Sequence, residues 1–315
     1  MNKLKVSILI PSYNHGKTIF EAINSVCKQS YENLELIIVD DASTDNSVEI
    51  IKKYIKNSKL NIMLIVNTKN SGVCKTLNTG LKNSSGDIVA ILASDDLMMP
   101  NRLNVEVKFF EENTGLNVLY TNGMYFNGNK KFGDVHRKIK KYLKLGASET
   151  KKEILSSIPG LYIQSMLIKR SFIIEIGGFD EETGSDDWSL NIRIFTKLTG
   201  ILDFKFIDRV SFLYRLHGNQ MHTSSSIMKP MIRKVIKRYF NYRDRVNYIA
   251  TALLIKACYR CREKRYRRSV AYIKKSYALF NINGAPIFKI FIFFIRFLVD
   301  KFDRMLVNLR RQVIK

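Results

Sequence analysis

Gly86-Asp87-Ile88-Val89-Ala90-Ile91-Leu92-Ala93-Ser94-Asp95-Asp96 is the stretch on which the fold turns. Asp87 to Leu92 reads as a buried strand, and the chain then delivers two adjacent carboxylates at its C-terminal end. In an open parallel sheet, ligands bind just beyond the carboxyl ends of the strands. Carboxylates there suit a hard divalent cation and, with it, a phosphate-bearing substrate. The same pair also suits a cap for the helix that begins near Pro100, and the stretch alone leaves both readings open.

Working outward, Val6-Ser7-Ile8-Leu9-Ile10 is an apolar run closed by Pro11-Ser12-Tyr13-Asn14. Leu34-Glu35-Leu36-Ile37-Ile38-Val39 is another, closed by Asp40-Asp41-Ala42-Ser43-Thr44-Asp45. Between them, Thr18 to Gln29 has helical spacing, with Ile19, Ala22, Ile23 and Val26 on one face. The alternation repeats through Ile62–Val66, Val73–Leu81 and Ile88–Leu92, the pattern of a parallel α/β sheet. Right-handed crossovers put the strand ends on one edge, so Tyr13, Asp40, Asp41, Asp95 and Asp96 are expected to converge on one cleft.

These segments, with Asn70-Ser71-Gly72 leading to Asn78, stand in an order and spacing that resemble the nucleotide-sugar half of family 2 glycosyltransferases. Ile176-Gly177-Gly178-Phe179-Asp180-Glu181 and then Asp186-Asp187-Trp188 resemble that family's acceptor half and acid pair. The resemblance covers roughly residues 4 to 218. It implies a GT-A fold, a Rossmann-like mixed and mostly parallel sheet flanked by helices, and transfer of a sugar from a nucleotide sugar.

The resemblance also implies roles. Pro11 and Tyr13 would line the nucleotide, with Tyr13 against the base, and Asp40 would accept a hydrogen bond from a uracil-type N–H. Asp41 reads as a turn residue, and Ser43 and Asp45 as start signals for the helix Asn46–Tyr54. Lys75, Asn78 and Ser94 would face the substrate, although a solvated lysine is an equal reading of Lys75. Asp95 and Asp96 would hold Mg²⁺ or Mn²⁺ at the diphosphate, with His217 as a further ligand and Arg215 on a phosphate oxygen. Family members commonly place a carboxylate where this chain has Ala93. Asp187 matches the acid that takes the acceptor hydroxyl's proton, with inversion at the anomeric carbon. Asp186 stands beside it on the acceptor side, and Trp188, the single tryptophan, suits either a sugar ring or the core.

One tempting motif fails: His15-Gly16-Lys17-Thr18 resembles the end of a P-loop, but Pro11 occupies the position of the earlier glycine. The stretch from Gly128 to Ile163 is basic and weakly patterned.

The net charge of +24 is uneven. Residues 229–315 hold 23 Lys+Arg and 4 Asp+Glu, whereas residues 1–228 carry only +5. A catalytic domain over 1–228 and a basic helical region over 229–315 are therefore expected. Asn247–Tyr259 and Arg267–Leu279 read as two helices of a hairpin. Ile287–Val299 continues into an amphipathic helix with Lys289, Arg296, Asp300, Asp303 and Arg304 on one face. That segment is too short and too charged to span a bilayer, which takes about 20 apolar residues. It suits either the interface of an anionic membrane or a docking site on the protein itself.

No signal peptide is visible ahead of the first strand, and the four cysteines, with a lone Cys258-Tyr259-Arg260-Cys261, read as reduced thiols. Both point to the cytoplasm, with peripheral attachment to the inner face of the membrane. No nucleic-acid motif accompanies the basic tail, so no nucleic-acid partner is expected. The expected function is inverting transfer from a nucleotide sugar, most simply a UDP-sugar, to a lipid-linked glycan acceptor in bacterial surface-polysaccharide assembly (O-antigen or capsule). A sugar-phosphate nucleotidyltransferase and a polyanion- or membrane-binding scaffold with a degenerate site are the competing readings.

Overall fold

The computed structural model describes residues 3–156, 160–198, 200, 202–216 and 225–262, and in part 268–278. Val6–Ser12 (β1), Ile19–Cys27 (α1), Leu34–Asp40 (β2), Ser47–Lys56 (α2), Ile62–Val66 (β3), Val73–Lys82 (α3) and Ile88–Ile91 (β4) alternate as the sequence predicts. Leu97–Met98 (β5), Arg102–Glu112 (α4), Val118–Phe126 (β6), Lys131–Asp134 (β7), Lys140–Leu145 (α5) and Ala147–Ser156 (α6) follow. Then come Met166–Lys169 (β8), Arg170–Glu175 (α7), Asp187–Lys197 (α8), Phe204–Arg215 (β9), Ser225–Tyr239 (α9) and Tyr242–Arg262 (α10).

Among the described residues, nine strands form one sheet in the order β3-β2-β1-β4-β8-β6-β9-β5, with β7 paired to β6. β3, β2, β1 and β4 are parallel, so the ends of β1, β2 and β4 open on one edge. β8 runs antiparallel to both β4 and β6, and β9 pairs parallel with β6. These crossings carry the second half of the chain back beside β4.

Both faces of the parallel part are covered, which is why its strands read as continuous apolar runs. Val6, Ile8 and Ile10 pack with Ile19, Ala22, Ile23 and Val26 of α1 in one core. Each of these Val and Ile side chains, fully buried, contributes about 1.5–3 kcal/mol. On the other face, Gly80 of α3 lies against Leu9 and Val39. Gly86 lets β4 start close to β1, since a Cβ there would stand 2.7 Å from both the amide nitrogen and the hydroxyl of Ser7. Pro11 is tolerated in this central strand because the β4 register ends at Leu9, so no ladder bond to β4 is lost.

The chain divides into two compact units. Of the described residues, the first unit runs to Tyr239 and so takes in α9, and the second holds residues 155–156 and those from Phe240 onward. The basic stretch that begins at residue 229 therefore starts inside the first unit. α10 covers the expected helix Asn247–Tyr259. Arg267–Leu279 is described only in part, and the amphipathic segment from Ile287 lies outside the described residues. No helix among the described residues is long and apolar enough to cross a membrane.

Candidate active site

The turn after β4 brings Ser94, Asp95 and Asp96 to the strand-end edge. Thr18 donates its hydroxyl to the Ser94 carbonyl at 3.1 Å, and His15 Nδ1 lies 2.5 Å from Ser94 Oγ. The acidic turn is thereby tied to the start of α1. Asp95 is half-buried, whereas Asp96 is buried, with 1% of its surface exposed. Asp96 Oδ1 accepts the backbone N–H of Arg215 at 2.8 Å, and Oδ2 accepts Gln164 Nε2 at 2.9 Å. Burial, and then the neighbouring charge of Asp95, push the Asp96 carboxyl well above its ordinary range.

Asp187, the first residue of α8, is partly buried, and its Oδ1 accepts the backbone N–H of Ile163 at 2.7 Å. Burial is the main reason its carboxyl is raised well above the usual range; the charges of Asp186 and Asp96 add to it. Burial likewise raises Asp186. The short helical turn Ile163–Ser165 therefore binds both acid pairs, Asp187 through a backbone amide and Asp96 through the Gln164 side chain.

Around this turn stands an aromatic wall that carries no motif. The Tyr162 and Tyr214 ring centroids are 4.9 Å apart, and those of Tyr125 and Tyr214 are 5.7 Å apart. Burial raises the phenols of Tyr162 and Tyr214, with contributions from Asp96 and Asp187. His136, fully buried, accepts the Tyr162 N–H at Nε2 (3.4 Å), and its Nδ1 lies 3.1 Å from the Thr121 carbonyl. Burial lowers its imidazole to about 4, so it is neutral at ordinary pH. Sequence reasoning missed Gln164, Tyr162 and His136, because a lone Gln, Tyr or His in a weakly patterned stretch gives no spacing to read.

Several expected site residues have other tasks. Asp40 is fully buried, and both of its oxygens are engaged: Ser12 and Ser43 donate hydroxyls at 3.0 and 2.7 Å, and the Ser43 amide donates at 2.8 Å. It organises the turn rather than offering an open acceptor to a base. Asp41 ties down the loop after β3 by accepting from Asn67 and the Ser71 and Gly72 amides, a longer-range structural role than the local turn its sequence suggests. Asn78 is not directed at substrate; its amide spans to Phe179 N–H, the Phe179 carbonyl and Glu181 at 2.8–2.9 Å. Gly178, at φ +62°, makes room for it, since a Cβ there would stand 2.7 Å from Asn78 Oδ1.

Trp188 is 2% exposed and donates Nε1–H to the Ile154 carbonyl at 2.9 Å, so it is a core residue and not a sugar platform. Arg215 donates Nε–H to the Asp95 carbonyl at 2.7 Å and pairs with Glu21 at 2.6 Å, which engages the guanidinium within the protein. Tyr13 is 43% exposed at the end of β1, Pro11 is half-buried beside it, and Lys75 is exposed. His217 lies outside the described residues.

Among the described residues, no three His, Cys, Asp or Glu side chains form a metal cage. Asp95 and Asp96 nevertheless fit a hard cation completed by phosphate oxygens and water, which is how Mg²⁺ is usually held. Gln164 Oε1, buried beside Asp96, has no hydrogen-bond partner, which adds an unsatisfied oxygen to the same place.

Residues 7–177 match the model of glycosyl transferase family 2. The chain belongs to that family. It is 39% identical over 123 residues to the putative glycosyltransferase EpsE of Bacillus subtilis, covering 39% of this chain and 44% of EpsE. It is 37% identical over 133 residues to WfgD of Escherichia coli, a UDP-Glc:alpha-D-GlcNAc-diphosphoundecaprenol beta-1,3-glucosyltransferase, covering 42% of this chain and 51% of WfgD. The match thus spans about half the length of these curated relatives.

Among solved structures, S. aureus TarS 1-349 in complex with UDP-GlcNAc superposes with a TM-score of 0.57 at 18% identity, covering 79% of this chain and 72% of that one. The mannosyltransferase PcManGT from Pyrobaculum calidifontis, in complex with GDP-Man and Mn²⁺, gives 0.56 at 18% identity, covering 90% and 88%. At such identities the likeness shows the fold, and it is the GT-A fold that the motifs imply.

Proposed function

We propose that this protein transfers a sugar, with inversion, from a UDP-sugar to a hydroxyl of a lipid-linked glycan. The observation that carries the reading is the turn Ile163–Ser165, which joins a carboxylate pair suited to a diphosphate with a carboxylate suited to an acceptor proton. Asp187 takes the hydroxyl proton as the acceptor oxygen bonds to the anomeric carbon and the bond from that carbon to the phosphate oxygen breaks. Its raised pKa makes it a stronger base than an exposed carboxylate. Asp95 and Asp96 would hold Mg²⁺ or Mn²⁺, which supplies charge neutralisation at the departing nucleoside diphosphate. Tyr13, exposed at the end of β1, would stack on the base.

The lipid-linked acceptor, and a place in surface-polysaccharide assembly at the inner face of the membrane, rest on likeness to WfgD and on the basic tail. Incubation with a panel of nucleotide sugars and Mn²⁺ tests the reading. Release of nucleoside diphosphate supports it; release of pyrophosphate from a nucleoside triphosphate and a sugar phosphate would replace it with nucleotidyl transfer.

A further inference from the structure

The stretch the sequence left unread carries an unusual surface. Residues 130–145 hold 7 Lys+Arg and a single Asp, a surplus larger than the +5 of the whole 1–228 segment. That Asp, Asp134, is engaged by Lys140 at 2.5 Å. Ile139, just ahead of α5, and Leu143 within it are buried at 1% and 2% exposure, and Lys140 and Lys144 reach Asp208 of β9 at 3.5 and 2.9 Å.

At 100° per residue, Leu143 and the Lys140–Lys144 pair occupy two sides of the helix and leave Lys141 and Leu145 together on the third, with Lys138 in the turn that leads into it. All three are exposed, Leu145 at 69%. On the neighbouring hairpin, Phe132 is 38% exposed beside exposed Lys131. Its ring is 6.4 Å from that of Tyr125, which leads through Tyr214 to Tyr162 and the acid cluster.

We infer that this face of the first unit docks on an anionic lipid bilayer, with Leu145 and Phe132 entering the headgroup layer and Lys131, Lys138 and Lys141 meeting lipid phosphates. A nucleic-acid backbone would use the lysines but gain nothing from a leucine 69% exposed at the tip. A bilayer uses both, because apolar burial and attraction to anionic headgroups add. The inference rests on the proposed lipid-linked acceptor only for its purpose. The docked face adjoins the Tyr162–Tyr214 wall, so an acceptor headgroup need not leave the membrane surface to reach Asp187.

The test is sedimentation of the full chain with vesicles of phosphatidylglycerol and phosphatidylcholine in equal parts. The Lys138→Gln/Lys141→Gln variant is expected to lose about 25-fold in partitioning, roughly fivefold per lysine. Leu145→Glu is expected to lose as much again, with its thermal unfolding unchanged. Leu145→Trp gives a readout local to this face, because Trp188 is buried: its emission should shift to the blue on the mixed vesicles and stay put on phosphatidylcholine alone. Unchanged partitioning in these variants, or no shift, overturns the surface. DNA binding that needs the lysines but not Leu145, without vesicle binding, also overturns it. Docking with no nucleotide-sugar turnover would count against the proposed function and leave this surface standing.

Discussion

The backbone N–H of Ile163 donates to Asp187 Oδ1 at 2.7 Å, while the next residue, Gln164, donates its side-chain amide to Asp96 at 2.9 Å. Two acids 91 positions apart in sequence are thus positioned by one turn of three residues. This turn couples the two halves of the proposed reaction, the departing diphosphate and the acceptor proton.

Asp95 and Asp96 should not respond alike. Asp96 is buried with both oxygens committed to Gln164 and Arg215, whereas Asp95 is half-buried and the more accessible of the two to a metal ion from solvent. Asp95→Asn is expected to abolish Mn²⁺ binding followed by calorimetry. Asp96→Asn is expected to weaken it by less, while lowering the unfolding temperature through the disturbed Gln164 and Arg215 bonds. Equal loss of Mn²⁺ affinity in both, with unfolding unchanged, would contradict the division of labour.

Trp188→Phe should cost stability rather than sugar affinity. The buried indole N–H bond to the Ile154 carbonyl is lost, at about 0.5–1.5 kcal/mol. Urea unfolding should show that loss, and KM for the donor should stay within about twofold, the span of a negligible free-energy change.

His136 makes the protein sensitive to acid. Its imidazole titrates at about 4 in the folded chain, below the ordinary value near 6.5, so the unfolded chain binds more protons between these pH values. Stability therefore rises with pH through that window. This contribution is fully present above about pH 6.5 and lost as pH falls to about 4, at most about 3 kcal/mol. His136→Gln should flatten that part of the stability profile, and an unaltered slope would show that another group is responsible.

The first half of the fold was legible because β1, β2 and β4 are covered on both faces and leave uninterrupted apolar runs between turn signals. The mixed half was not. β6, β8 and β9 meet through crossings that no local period announces, and β5 is two residues long. The acids were visible as adjacent pairs at strand and helix ends. What they touch was not, because a hydrogen bond from Gln164 or Ile163 depends on where β8 returns beside β4. Asp40, Asn78 and Trp188 mark the same limit: their residue types suit a ligand, and only their burial and bonding show that the protein itself occupies them.

The central claim is that Asp187 is the base of a sugar transfer that departs from a site built on Asp95 and Asp96. The most direct measurement is the pH profile of nucleoside diphosphate release, with acceptor, for the native chain and Asp187→Asn. The native profile should rise with pH through a step well above the ordinary carboxylate value of about 4, because burial raises Asp187. Asp187→Asn should lose that step and about 10²–10⁴ in kcat while still binding the donor. A variant that keeps both its rate and its pH step would contradict the account.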